Sequence, residues 1–298
     1  MIERDQIMFG IVWPALAATV ILLGLWRLWP RGPHSAARAR IAGALAIAIA
    51  AIIAVWRLLG GLSLPPTGVG PAIAIAAAIA AAFAMIPARG KTAVALGAAT
   101  GLLCTAAVCW PWMAAGRVRS GPEFAMVAAM VGAGVVFAGL ARALSESARR
   151  EPSGWLPLGL GFGIITGATA PLLAIGGAWT NAALVTGAVG LALLSSFLMT
   201  IGGRAPHHGL AASIGALGGI LPATLLAAHL GSELPWWSGL IIALSPAGWL
   251  AGSFGPLARR GSKARAAARL IAMSVIAGSG VLLAIMQAPI DSYLDYVR

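Results

Sequence analysis

The chain has 298 residues, of which 60% are hydrophobic and only 9% charged. Soluble domains carry about 25% charged residues, so 20 Lys and Arg with 8 Asp and Glu cannot cover a water-facing surface of this size. The formal net charge of +12 does not point to nucleic acid, because the basic residues stand in short runs between long apolar stretches. With a mean hydropathy of +0.92, the composition predicts an all-α, polytopic transmembrane helix bundle whose solvent is the lipid bilayer.

A membrane-crossing helix needs about 20 mainly apolar residues. In chain order, ten segments meet or approach this: 7–29, 41–59, 71–86, 92–114, 124–144, 155–176, 179–201, 210–230, 236–254 and 267–286. The third is the shortest and richest in Ala. The leader before the first is nearly neutral and its apolar stretch exceeds a signal-peptide core, so this segment is expected to be retained. The linkers are short and built from Pro and Gly, as in the run from Leu64 to Gly68. None is long enough for a soluble domain, which predicts one membrane-embedded domain over 1–298.

Charge sets the expected orientation. Fifteen of the twenty Lys and Arg fall on one side of the ten segments, among them Arg38, Arg40, Arg89, Lys91, Arg142 and Arg269. The positive-inside rule makes that side cytoplasmic. Both termini then lie outside the cytoplasm, in a multi-pass protein of the inner (plasma) membrane. Nine of the eleven Trp stand at predicted segment boundaries, where an apolar ring with one N–H donor fits the headgroup level.

Chemistry-bearing motifs are sparse. Gly90-Lys91-Thr92 lacks the earlier Gly and the strand of a phosphate loop, since position 85 is Met. Gly161, Gly163 and Gly167 lack the strand–turn–helix setting of a dinucleotide site. Gly159, Gly163 and Gly167 instead recur every four residues and predict close helix packing. Cys104 and Cys109 are five apart, about 500° around a helix, so neither a disulfide nor a metal pair is expected. His207-His208 has no acid or Cys beside it in sequence. No Ser nucleophile elbow, zinc pattern or paired carboxylate occurs within a segment, so no catalytic residue, metal or cofactor is assigned.

What remains favours a small-molecule transporter or permease-like bundle. Trp13-Pro14 in the first segment and Trp155-Leu156-Pro157 in the sixth hold matching ordinals, as do Pro111 in the fourth and Pro246 in the ninth. Halves 1–150 and 151–298 would then form a 5+5 inverted repeat, each half having an odd number of spans. The expected cavity residues are Thr166 and Thr169 among the glycines of the sixth segment. Asn181 and Ser195 on the seventh join them, four turns apart on one face. Arg57, within a turn of the headgroups at the end of the second segment, reads first as a snorkelling anchor; the alternative is a gate held by Glu123 or Glu233, because a carboxylate offsets its desolvation better than lipid does. The competing class is a non-catalytic membrane subunit or scaffold of a larger complex, with membrane-protein partners.

Reporter fusions after Arg150 and after Arg269 should both signal from the cytoplasm. A periplasmic signal at either position would overturn the orientation.

Overall fold

The computed structural model describes residues 4–27, 35–59, 68–116, 121–148, 154–175, 180–201, 207–232, 234–253 and 261–287. These form ten helical rods and, among the described residues, no strand. We number them α1 (4–27), α2 (Ser35–Leu59), α3 (Val69–Met85), α4 (Lys91–Ala114), α5 (Gly121–Ala148), α6 (Trp155–Ile175), α7 (Thr180–Ile201), α8 (His208–Ser232), α9 (236–253) and α10 (Ser262–Gln287). Each corresponds to one predicted segment. Among the described residues seven helices are long and apolar enough to cross a membrane, whereas α3 is shorter and α9 changes helical type midway. At about 1.5 Å per residue the 17 residues of α3 reach about 25 Å, less than the ~30 Å hydrocarbon core.

The helices outrun their apolar segments at one end. α2 starts six residues before the predicted boundary, α10 five before, and α5 ends four residues late. Ala and Arg are strong helix formers, so the backbone stays helical where hydropathy has already fallen. Arg38, Arg40, Glu146 and Arg269 therefore belong to helices rather than to loops.

Two rods are irregular, each at a proline named above. Pro14 has no N–H and its ring crowds the carbonyl four residues earlier. In α1 the turn Met8–Val12 accordingly widens to a π-helix. In α9 the α-helix Trp236–Leu244 tightens at Ser245-Pro246 into the 3-10 helix Ser245–Ser253. Such runs rarely exceed three or four residues.

Contacts between helix ends show that successive rods alternate in direction. The start of α2 meets the start of α8 at Gly43 and Gly209, and the end of α5 meets the end of α3 at Arg142 and Ala84. The start of α9 meets the end of α10 through Trp237 Nε1–H, which donates to Gln287 Oε1 at 2.7 Å. α1 and α7 run in parallel, with Gly10 against Leu184 and a 2.9 Å hydrogen bond between the Thr19 and Ser195 hydroxyls. α1 and α6 run oppositely, because α6 starts beside the starts of α8 and α10. One end of the bundle thus carries Arg40, Arg142 and Arg269, and we call it the basic end.

α8 is the axis. Residues 210–228 are buried without exception, enclosed by α2 to α7 and α9. Its glycines and alanines allow this. A Cβ on Gly43 of α2 would overlap the Gly209 carbonyl, and one on Gly219 would stand 2.8 Å from Cys104 Sγ. Ser213 Oγ lies 3.0 Å from the Gly43 carbonyl and 2.9 Å from Ser196 Oγ, joining α8 to α2 and α7. Cys104 and Cys109 are free and buried, and the Cys104 thiol faces the Ala76 carbonyl.

Two further pairs are sealed by glycine on backbone. Gly97 and Gly101 of α4 lie on the Ala138 and Gly134 carbonyls of α5, and Gly248 of α9 lies on the Met273 amide of α10. These pairs hold matching ordinals in the two halves. The halves differ in their placement: α3, the counterpart of α8, packs on α2, α4 and α8 alone as principal neighbours.

Gly101→Val should lower stability by about 1–3 kcal/mol through overpacking, read as thermal unfolding of the purified protein in detergent. Gly132→Ala should not, since nothing lies within 4 Å of that Cβ position. Equal shifts for both would remove backbone contact as the cause.

Candidate functional site

Three places bring chemistry-bearing residues together: the far end at Arg57, a groove between α6 and α7, and the basic end.

At the far end, α2 finishes beside the start of α1. The exposed Arg57 guanidinium carbon lies 4.9 Å from the Trp56 ring centroid and 5.6 Å from that of Phe9. Cation–π contacts of this kind contribute about 0.5–1 kcal/mol at exposed sites. Phe9 sits in the π-helical turn, so the irregularity caused by Pro14 places the ring under the cation. Asn181 Nδ2 reaches the Leu58 carbonyl at 3.5 Å, next in sequence to Arg57. Glu123 occupies the exposed first turn of α5, and Glu233 lies outside the described residues. Among the described residues the Arg57 guanidinium is held by rings rather than by a carboxylate.

The expected cavity residues divide. Thr166 and Thr169 are buried, and each hydroxyl donates at 2.7 Å to the carbonyl four residues earlier in α6. Asn181 and Ser195 do share a face of α7, and that face is turned to α2 and α1. Their polar atoms act as ties between helices.

The groove runs between α6 and α7 and has a volume of about 420 Å³. It is lined by Gly159, Gly163, Thr166, Gly167, Gly187 and Gly190 with Leu160, Ile164, Leu191 and Phe197. The glycine stripe of α6 was expected to seal a helix–helix contact, but the structure turns most of it outward. Among the described residues nothing lies within 4 Å of a Cβ on Gly163 or Gly167, and of the three Gly159 alone meets a neighbour, the Phe197 ring. α6 packs on α7 and α10 through other residues, such as Gly161 against Met273. The wall is apolar, and the Thr166 and Thr186 hydroxyls are engaged with their own helices.

The basic end holds what hydropathy missed. Arg40 Nη1 lies 3.1 Å from Glu146 Oε1, with the two side chains 6% and 5% exposed. Arg40 Nη2 donates to Glu146 Oε2 at 3.4 Å. One turn back on α5, Arg142 Nη1 donates to the Ala84 carbonyl at 2.9 Å, and Nη2 donates to the Ile86 carbonyl. A cation at the last carbonyls of α3 meets the negative end of that helix dipole. Arg269 lies 4.5 Å over the Trp249 ring, and Trp155 stacks on His207 with centroids 4.9 Å apart. Desolvation pushes the His207 imidazole below its ordinary pKa. The signal for Glu146 was present in the sequence: an acid four residues after Arg142 and therefore on its face.

Among the described residues no group of three or more His, Cys, Asp or Glu is placed to hold a metal ion. The fold and these sites define a multi-pass α-helical membrane protein. Comparison with protein-family models, with curated proteins and with solved structures gives no match.

Gly163→Ala and Gly167→Ala should leave thermal stability unchanged or raise it, the α-helical preference for Ala over Gly being about 0.5–1 kcal/mol. Gly159→Ala should lower it, because its Cβ would run into Phe197. Loss of stability at Gly163 would mean that the groove is filled by protein.

Proposed function

We propose that the chain is a small-molecule carrier of ten membrane-crossing helices in the plasma membrane, with both termini outside the cytoplasm and halves 1–150 and 151–298 related as an inverted repeat. The observation that carries this reading is the interrupted helix α9. Its backbone changes from α to 3-10 at Ser245-Pro246, and most of the 3-10 stretch is buried against α10. Irregular backbone at membrane depth is tolerated where protein or a cavity covers it, and interrupted helices build the sites of many secondary transporters. The opposed directions of α1 and α6 support the inverted repeat, as do the glycine-sealed pairs α4/α5 and α9/α10 at matching ordinals. Arg57, Glu123 and Glu233 would then border the outward vestibule, with Thr166, Thr169, Asn181 and Ser195 as the proposed cavity residues deeper in the bundle.

The second reading is a non-catalytic subunit or scaffold, favoured by the outward glycines of α6 and their open apolar groove. One experiment separates the two. Purified protein in liposomes is exposed to a mixture of small metabolites, and the retained solutes are measured by mass spectrometry against empty liposomes. A carrier should accumulate or release at least one solute, and Pro246→Ala in the interrupted helix should change its rate at least tenfold. No difference from empty liposomes, together with a stoichiometric partner in native membranes, would favour the scaffold.

A further inference from the structure

We propose that the Arg40–Glu146 ion pair is a latch that closes the basic end of the bundle and releases the last turns of α5 when it opens. The inference deepens the carrier reading and rests on it for the purpose of the opening, though the mechanics of the latch do not require it. Arg40 lies in the second turn of α2 and Glu146 in the last turn of α5. These helices share no extended interface of their own, and each packs on α8 instead. The pair therefore bridges two rods that side-chain packing leaves apart.

The surroundings define what can move. Three residues beyond Arg40, Gly43 rests backbone to backbone on Gly209 and accepts from Ser213, which fixes the start of α2 to the axis. Near Glu146 the end of α5 is covered by apolar packing, with Ala141, Leu144 and Ala148 buried in the core. Arg142 and Glu146, one turn apart on one face, hold it by charge to the end of α3 and the start of α2. The glycine-sealed crossing of α5 with α4 lies farther in, at Gly134 and Ala138. Beyond that crossing the last turns of α5 are held by this apolar burial and by two arginines, and the ion pair is their tie to α2.

The chemistry suits a contact that parts and re-forms. Apolar residues of similar volume often hold two helices as well as a buried ion pair does, whereas removing one partner strands a charge. A paired charge has one good geometry when closed. When it opens, water replaces the partner at both ions, an alternative that two leucines lack.

Hydrogen exchange on the purified full-length protein in lipid nanodiscs tests this with Glu146→Gln, Arg40→Gln, the exchanged pair Arg40→Glu/Glu146→Arg, and the apolar pair Arg40→Met/Glu146→Leu. Each single variant should speed exchange at least tenfold in the peptide covering 138–148, leaving those covering 35–46, 236–244 and 276–287 unchanged. The exchanged pair should restore slow exchange, and the apolar pair should be as slow as the parent or slower. Unchanged exchange in the single variants would overturn the latch, as would acceleration throughout the chain or failure of the exchanged pair to restore it. If the liposome experiment has yielded a solute, the apolar pair should be folded and at least tenfold slower in its transport. A latch seen by exchange with no solute moved by the parent protein would instead overturn the carrier reading and leave the latch standing.

Discussion

The structure depends on one constraint: a helix of nineteen successive buried residues must be enclosed without help from water. Lipid tails are as apolar as Leu, so no hydrophobic force drives α8 into the centre of the bundle. Van der Waals contact and interhelical hydrogen bonds must do it, and both need backbones to approach closely. Gly209, Gly215, Gly218 and Gly219 supply the approach on α8, and Gly43 supplies it on α2. Ser213 adds hydroxyl contacts to α2 and α7, each such bond contributing about 0.6 kcal/mol on average in membrane proteins. The arrangement of the other helices follows from which of them can reach that axis.

Polar groups are placed by the same scarcity of water. Most Ser and Thr hydroxyls in the rods return to a carbonyl three or four residues back, as at Thr100, Thr105, Thr169 and Ser274. Those that also reach another helix mark the joints, Thr19 with Ser195 and Ser213 with Ser196, and the Asn181 amide adds a tie to the end of α2. Charges separate by end. At the far end the exposed Arg57 rests over rings, where its head can stay wet and its stem dry. At the basic end Arg40, Arg142 and Arg269 are buried, and each has a different neutralising environment: a carboxylate, the carbonyls of a helix end, and an indole face.

Irregular backbone was legible where proline announced it. Pro14 and Pro246 were visible as punctuation, and both coincide with a departure from α geometry. Pro111 and Pro222 are equally visible, yet both lie inside helices that continue through them. The difference lies in the neighbours. Pro222 packs against Gly134 within the fully enclosed α8, so surrounding protein holds the helix straight. Ser245-Pro246 begins the stretch in which Gly248 and Gly252 lie directly against α10.

The sequence alone determined the class, the number of helical rods and the separation of charge between their ends, because these depend on local hydropathy and on the sign of side chains along the chain. It did not determine which helix would be central. All ten segments are apolar, and α8 is no more hydrophobic than its neighbours; small residues on several of its faces decide its place only once partners with matching small residues surround it. The glycine stripe of α6 illustrates the converse: its spacing announced a contact surface, but α7 and α10 engage other residues and leave Gly163 and Gly167 open. Glu146 falls two residues beyond the fifth predicted segment because apolar windows end where charges begin, whereas helices do not. Only the tertiary structure placed its carboxylate against Arg40, 106 residues away in the chain, where two buried ions offset each other's loss of water.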